Sequence, residues 1–259
     1  MLDFHNHLMP GVDDGAGTIE ESRDGLKTMI DNGITGIITT PHLAASQIET
    51  GGARRYLEVV AEAWDSLTAV AEKEFPKLKL ARGFEVMLDT PHPRLDDPLF
   101  RLAGTQFALV EFPFMSIPPN STYALRALRD GGWIPIIAHP ERYANMESNM
   151  LLIDEWKDAG AYLQINAGSL VGTYGARPRK IVFDILSAGQ AEYICSDYHA
   201  RGRCMIRSGT DEMKKRGLSE QLSTMVLNAK KIIRGERPAA VAGAEIDTKP
   251  AWKKVLPWS

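Results

Sequence analysis

Short apolar runs that alternate with helix-patterned segments constrain the fold of this chain more than any other feature. Runs such as LDFH, ITGIITT, LKLARGFEV, FALVEF, WIPIIAH, AYLQIN and EYICSD have the length and β-branched content of buried strands. Segments with apolar residues at helical spacing lie between them, for instance 54–74 and 180–188. This alternation predicts an α/β fold in which crossover helices join parallel strands, with about seven strand-and-helix repeats.

The length of the chain fits one such domain. Its 259 residues, of which 44% are hydrophobic, would fill a single α/β barrel, a fold that typically takes about 250 residues. We expect residues 1–235 to form this domain. Residues 236–259 mix Pro, Gly, Ala and charges without a period. They are predicted to be a C-terminal tail that wraps the domain or contacts a partner.

Charge and cysteine usage narrow the possible partners and location. The net charge of -3 argues against nucleic-acid binding through a diffuse basic surface. A chemical motif starts at His5, which leaves no room for a targeting segment, and no apolar run approaches the roughly 18 residues needed to cross a bilayer. Cys195 and Cys204 are too few for a disulfide framework. We therefore predict a cytoplasmic protein with no membrane insertion.

Residues able to bind metal recur at the predicted strand ends. His5 and His7 lie two apart on a strand, so both imidazoles point to one face, and Asp197 and His199 repeat this spacing. The remaining strand-end candidates are His42, Glu85, Glu111 and His139. In a barrel of parallel strands these ends converge on one mouth.

The loop after the first strand offers a further ligand. Asp13 and Asp14 both lie there, and capping of the following helix is the alternative role for one of them. Any single His or Glu would ordinarily be structural, but the coincidence of so many at strand ends favours a metal site. Mixed imidazole and carboxylate ligands suit Zn, Mn or Fe. Two cations about 3.5–4 Å apart can share a hydroxide and clamp a phosphoryl group, which predicts phosphate-ester hydrolysis.

Arginines near these strand ends are candidates for binding phosphate, because a guanidinium matches phosphate oxygens. Arg142 in AHPERY is the favoured one, whereas a solvated loop charge is the alternative for Arg201 and Arg203. Asn166 in QINAGSL could hydrogen-bond to substrate or a ligand, or could be a turn residue. His92 in TPHPR is interpreted as structural.

The segment CSDYHAR formally matches C-x5-R, the pattern of cysteine-dependent tyrosine phosphatases. That pattern requires backbone amides around phosphate and a thiolate at a helix N-terminus. Here Asp197 would repel phosphate, the segment contains no Gly, and Cys195 falls inside a predicted strand. We therefore interpret Cys195 as a buried structural thiol.

Motifs along residues 2–205 together resemble the polymerase and histidinol phosphatase (PHP) superfamily, and within it the bacterial tyrosine-protein phosphatases of capsular and exopolysaccharide synthesis. The motifs are LDFHNHLMPGVDDGA, ITTPH, GFEV, VEFPF, AHPERY, QINAGSLVG and CSDYH. The resemblance implies a distorted (β/α)7-type TIM-like barrel with up to three divalent metals, commonly Mn2+. Tyr198 stands where a small residue is usual in the family and is expected to narrow the mouth.

The resemblance also implies an assignment of site residues. One metal position would use His5, His7, Glu85 and Asp197, and a second would use Asp14, His42 and His199. The third would use Glu111 and His139, with Glu85 bridging to the first. Arg142 and an Arg after SDYH, assigned to Arg203, would bind the phosphate, and both are expected to be catalytic together with Asp197.

The expected activity is that of a metal-dependent protein-tyrosine phosphatase acting through a metal-bound hydroxide. Its partner, as the resemblance implies, is the tyrosine-rich tail of a polysaccharide-synthesis kinase. A small-molecule phosphoesterase such as histidinol phosphate phosphatase is the alternative enzyme. A non-catalytic regulatory barrel would require broken ligands, and none is missing. The helix containing EESR is either solvated or a subunit contact, so homo-oligomerisation stays open.

Overall fold

A computed structural model describes residues 1–246, so residues 247–259 of the predicted tail lie outside the described residues. The chain is α/β, and every strand ladder is parallel, as the alternation predicts. The strands are β1 (Leu2–Asp3), β2 (Gly36–Thr39), β3 (His42–Ala44), β4 (Lys79–Arg82), β5 (Glu85–Met87), β6 (Phe107–Glu111), β7 (Ile134–Ala138), β8 (Tyr162–Asn166) and β9 (Tyr193–Cys195).

Helices connect most of the strands, and two of them overlap the segments 54–74 and 180–188 that helical spacing predicts. They are α1 (Ile19–Asp31), α2 (Ala45–Glu49), α3 (Arg54–Glu74), α4 (Ser121–Asp130), α5 (Leu151–Asp158), α6 (Ala167–Leu170), α7 (Ala176–Ser187), α8 (Ile206–Lys215) and α9 (Ser219–Ile232). Helix α1 begins after Thr18, whose side chain accepts a hydrogen bond from the Glu21 amide. Helix α3 buries Val60, Ala63, Leu67 and Ala71, a single stripe at helical spacing.

The strands form two sheets, with orders β1-β2-β4 and β3-β5-β6-β7-β8-β9. The run LKLARGFEV, which was expected to give one strand, is divided into β4 and β5, and β3 is an additional short strand after the run ITGIITT. As a result, β2 and β4 lie in one sheet while β3 and β5 lie in the other. Gly83 separates β4 from β5, and a Cβ at this position would lie 3.0 Å from the carbonyl oxygen of Arg101. Because the ladders of residues 1–246 do not form one continuous sheet, the closed barrel stays a prediction.

Buried Asp3 links the first strand to the last. Its Oδ2 accepts a hydrogen bond from the Ser196 amide at 2.8 Å, and its Oδ1 accepts one from the Asn6 side chain at 3.1 Å. The Asp197 amide donates to the His5 carbonyl at 2.9 Å, and the His7 amide donates to the Tyr198 carbonyl at 2.9 Å. The N-terminal HxH motif therefore lies directly beside the SDxH motif.

Apolar side chains fill the space inside the strands and under the helices. Phe4, Ile38, Leu109 and Ile136 belong to an inner cluster, and all five residues of β7 are buried. Burial on both faces is typical of parallel strands that helices cover. No helix among residues 1–246 is long and apolar enough to cross a membrane.

The described part of the C-terminal tail packs against the domain. Val241 is buried, the Asn228 side chain exchanges two hydrogen bonds with the backbone of Ala239, and the Ala244 amide donates to the Ser187 carbonyl. This part therefore covers the ends of α7 and α9. The domain boundary at residue 235 stays a prediction.

Candidate metal centre

The predicted ligands come together at the carboxyl ends of the parallel strands. The register places His42 beside Glu85 and Met87 beside Glu111 across β3, β5 and β6. His139 follows β7, and the Asp197–His199 pair follows β9. The convergence arises because parallel strands present all their carboxyl ends at one edge.

A first group contains the N-terminal pair and two acids. His5 Nε2 lies 3.1 Å from Glu85 Oε2 and 3.3 Å from Asp197 Oδ1. His7 Nε2 lies 3.5 Å and 3.4 Å from the same two oxygens. Two nitrogens and two oxygens thus surround one small volume.

A second group lies on the other side of His7. Asp14 Oδ1 is 3.3 Å from His199 Nε2 and 3.6 Å from His42 Nε2. The rings of His7 and His199 stack with centroids 4.1 Å apart. Ligand atoms of these four residues all lie within 4.8 Å of one another.

The third group is arranged differently from the implied one. His139 Nε2 contacts Glu85 Oε1 at 2.9 Å, but Glu111 Oε2 lies 3.9 Å away from the same nitrogen. Glu111 instead lies 3.1 Å from His42 Nδ1, which also faces Glu85 at 3.2 Å. Glu85 is common to the first and third groups.

Outer hydrogen bonds orient the imidazoles. The Nδ1 atoms of His5 and His7 lie 2.7 Å from Gln164 Oε1 and Asp13 Oδ2, respectively, and His199 Nδ1 lies 3.0 Å from the Asp197 carbonyl oxygen. In each ring Nε2 is thereby left to face the shared space, as is usual for metal-binding histidines. The sequence does not reveal Gln164, although its position two residues before Asn166 on β8 places it on the inner face.

The two adjacent aspartates of the first loop have different environments. The Asp13 carboxylate hydrogen-bonds to the His7 ring and also accepts a hydrogen bond from the Gly15 amide at 3.0 Å. Asp14 has a side chain that is 69% exposed and faces His42 and His199. This geometry favours Asp14 as the ligand and Asp13 as the residue that orients one.

Unpartnered buried atoms test whether cations fit here. His5 Nε2, His7 Nε2 and Glu85 Oε2 are buried without a hydrogen-bond partner in the described part of the chain. Buried polar atoms without partners are unfavourable by about 1–3 kcal/mol each. Divalent cations between these atoms would satisfy them, and the mixed nitrogen and oxygen donors suit Zn, Mn or Fe.

The pKa shifts show how strongly this cluster attracts positive charge. Burial alone would lower the pKa of His5, but the carboxylates of Glu85 and Asp197 raise it to about 9. Burial would likewise raise the pKa of Glu85, yet His5 and the other imidazoles hold it well below its usual range. Without a cation, protonated imidazoles therefore balance the buried carboxylates.

Two ligand candidates have a left-handed backbone that is rare outside glycine. His139 has φ 34° and Asp197 has φ 51°. Such conformations cost on the order of 1–3 kcal/mol each and tend to occur at functional sites. Each turns the chain sharply at its strand end, next to the cluster.

Arg142 and Asn166 meet at one oxygen of Asp197. Both donate hydrogen bonds to Asp197 Oδ2, the one from Asn166 at 2.8 Å. The Arg142 guanidinium also lies over the Tyr174 ring, with Cζ 4.2 Å from the centroid. A phosphate bound at the cluster would thus meet a guanidinium that is already oriented.

Glu141 is a site residue that the sequence does not reveal, although it lies in AHPERY. It is fully buried and accepts hydrogen bonds from the Asn166 amide at 2.8 Å and the Ser169 hydroxyl at 2.7 Å. It thereby fixes the Arg142 loop against the end of β8.

The remaining candidates lie at the rim or in the core. Arg201 lies near Glu21 (Nε to Oε2 3.7 Å), whereas Arg203 is exposed and has no ion pair within residues 1–246. His92 packs edge-on against Tyr123 outside the cluster. Tyr198 does not narrow the mouth, because its ring is buried in the core next to Gly25 of α1.

Cys195 lies in β9 and is fully buried. Burial, with Asp3 nearby, raises the pKa of its thiol well above the usual value. A nucleophilic cysteine needs the opposite shift. The resemblance of CSDYHAR to a cysteine-phosphatase loop is therefore a coincidence of spacing.

Comparisons with known proteins point to one family. The family model described as "Capsular polysaccharide synthesis, CpsB/CapC" matches residues 1–234. The chain is 31% identical to the tyrosine-protein phosphatase YwqE of Bacillus subtilis over 77% of each protein, and 29% identical to the putative tyrosine-protein phosphatase CapC of Staphylococcus aureus over 92% of each.

A solved structure described as one of the "unique metal-dependent tyrosine phosphatases" YwqE of Bacillus subtilis and CpsB of Streptococcus pneumoniae superposes with a TM-score of 0.78 at 27% identity. The match covers 93% of this chain and 100% of that one. The family model matches residues 1–234, the solved structure superposes over nearly the whole chain, and potential metal ligands cluster at one site. The chain therefore belongs to the CpsB/CapC family of capsular polysaccharide synthesis proteins.

Proposed function

We propose that this protein is a metal-dependent protein-tyrosine phosphatase of capsular or exopolysaccharide synthesis. The single observation that carries the proposal is Glu85, which is fully buried and lies within 3.5 Å of nitrogens of His5, His7, His42 and His139. A carboxylate held among four imidazoles has little structural use without cations. The named activity of the relatives agrees with it.

The cations would occupy three positions, and manganese is the metal we propose. His5, His7, Glu85 and Asp197 would hold the first, and Asp14, His42 and His199 the second. Glu111 and His139, sharing Glu85, would hold the third. Glu111, which contacts His42 in the structure, would then contribute its carboxylate to the third position instead.

Bound cations would supply an activated water and neutralise the charge that spreads over the phosphoryl oxygens. Arg142 and Asn166, which donate to Asp197 Oδ2 in the structure, lie where they would donate to the remaining oxygens. Arg203, which has no other partner among residues 1–246, would add a donor from the rim. The tyrosyl leaving group has a pKa of about 10, so it departs with less acid assistance than an alkoxide.

Three further features belong to the same proposal. The substrate is a phosphotyrosine protein, the tyrosine-rich tail of a polysaccharide-synthesis kinase. The two sheets together form one distorted barrel, supported by the amide hydrogen bonds that join β1 to the end of β9. The protein works in the cytoplasm, where free thiols such as Cys195 and Cys204 persist.

The test is hydrolysis of a phosphotyrosine peptide by purified protein, with chelator and after re-addition of manganese. Turnover should require the metal, and Glu85→Gln should reduce it by about 10²-fold or more, the loss typical of removing a key electrostatic group. Chelator-resistant turnover would contradict the metal mechanism. Histidinol phosphate hydrolysed orders of magnitude faster than the peptide would contradict the protein substrate.

A further inference from the structure

A cleft adjoins the metal centre on the side of His42 and Glu111. Its volume is about 340 Å³, and its walls include Val12, Ala44, Tyr56 and Met87. Ligand pockets typically measure about 300–1,000 Å³. The cleft is thus large enough for part of a substrate and opens directly onto two of the proposed ligands.

Strand register explains why an apolar wall stands next to the charged cluster. Ala44 follows His42 by two residues on β3, and Met87 follows Glu85 by two on β5, so each lies on the same face as its ligand. Ala44 pairs with Met87, and Met87 pairs with Glu111. His42 and Glu85 therefore form one layer, and Ala44 and Met87 form the next layer outward together with Glu111.

Tyr56 closes the cleft from α3. Its hydroxyl donates a hydrogen bond to the His42 carbonyl oxygen at 2.8 Å, which fixes the ring against β3. The side chain is half-buried, as are those of Met87, Ala44 and Val12. An aromatic face, a thioether and two small apolar side chains thus line the space beside the cations.

We infer that this cleft is the subsite for the phenyl ring of phosphotyrosine, with Met87 and Tyr56 contacting the ring and Ala44 leaving room for it. The inference rests on the proposed function. Its occupant follows from continuity with the metal centre: His42 and Glu111 line the cleft, so the ester substituent of a phosphate held at the cluster would lie next to it. An aliphatic ester would leave Met87 and Val12 uncovered, whereas an aromatic ring covers them and gains sulfur and ring contacts.

The test compares ring-dependent with ring-independent ligands on manganese-loaded protein. The ring-dependent probe is a peptide carrying non-hydrolysable phosphonomethylphenylalanine, and the ring-independent probe is inorganic phosphate. Ala44→Leu fills the cleft, Met87→Ala strips its wall, and Met87→Leu keeps its volume. Ala127→Leu on α4 is the matched control at a half-buried position away from the cleft.

Ala44→Leu and Met87→Ala should each weaken calorimetric binding of the phosphonate peptide, and raise KM for the phosphotyrosine peptide, by about tenfold, the scale of one lost aromatic contact. Phosphate binding and metal content should be unchanged, and Met87→Leu and Ala127→Leu should resemble the wild type. Parallel losses for both probes, or no loss for either, would overturn the subsite. A wild-type protein that binds both probes but never hydrolyses the peptide would overturn the function and leave the binding comparison valid.

Discussion

Asp13 Oδ2 lies 2.7 Å from His7 Nδ1 and so orients this imidazole, while the adjacent Asp14 faces His42 and His199 directly. Asp13→Asn should weaken manganese affinity by about 10–100-fold, as for other residues that orient a metal-binding His, but saturation should restore the full metal content. Asp14→Ala should lower the metal-to-protein ratio even at saturation. Elemental analysis across a manganese titration distinguishes them, and the reverse pattern would exchange the two roles.

Arg142 is expected to act on phosphate and not on the metal. Arg142→Ala should reduce kcat/KM for a phosphotyrosine peptide by about 10²–10³-fold, the range for loss of a charge-stabilising donor. Metal content should be unchanged, although Arg142 contacts Asp197. Arg142→Lys should recover only part of the activity, because an ammonium cannot form the planar fork. Loss of metal in Arg142→Ala would instead assign it a structural role.

The two arginines after SDYH provide a matched pair of variants. Arg201 is placed near Glu21, whereas Arg203 has no ion pair within the described chain. Arg203→Ala should lower kcat/KM by about tenfold, consistent with one lost charge-assisted contact to phosphate. Arg201→Ala should change it by less than about twofold, since exposed ion pairs contribute little. Equal effects would show that the loop acts only through its net charge.

Metal binding should release protons. Because Glu85 and Asp197 outweigh burial and raise the pKa of His5 to about 9, this imidazole is protonated at pH 7 in the metal-free protein. A cation must displace that proton, so manganese affinity should be weaker at pH 7 and should increase as the pH rises towards about 9. Calorimetric titrations at pH 7 in buffers of different ionisation enthalpy measure the released protons, and identical heats in all buffers would refute the exchange.

Cys195→Ala should leave most of the activity intact, because the thiol is buried in β9 with a raised pKa. The cost should be a modest loss of stability, about 1 kcal/mol for the small cavity. Thermal unfolding and peptide hydrolysis measure both effects. Complete inactivation of a folded, metal-loaded Cys195→Ala protein would revive the cysteine mechanism.

Periodicity predicts the helices and the strand ends well because both depend on local side-chain spacing. Helix α3 spans the predicted Arg54–Glu74. Helix α7 begins at Ala176, before the predicted 180, because Arg177 and Pro178 hide its first turn among loop-like residues. Neither the extra strand β3 after Pro41 nor the division of LKLARGFEV at Gly83–Phe84 is visible in hydrophobicity, since both depend on how closely distant backbone segments approach.

The sequence predicts which residues form the candidate site more readily than it predicts which of them contact each other. Strand-end position identifies the residues around Glu85, and the structure brings them together. It does not distinguish Asp13 from Asp14, or show that Glu111 lies nearer His42 than His139. Those details depend on side-chain orientation and on outer hydrogen bonds such as that of Gln164.

The hydrogen bond between Asp3 and the Ser196 amide also bears on biosynthesis. His5 and His7 leave the ribosome first, but Asp197 and His199, with which they would share cations, are translated almost two hundred residues later. A shorter nascent chain would lack two of the proposed ligands, so the proposed sites would be complete only when nearly all of the chain has been synthesised. Loss of the last strand and the residues after it would leave the first two proposed cation positions incomplete, although every earlier ligand would stay in place.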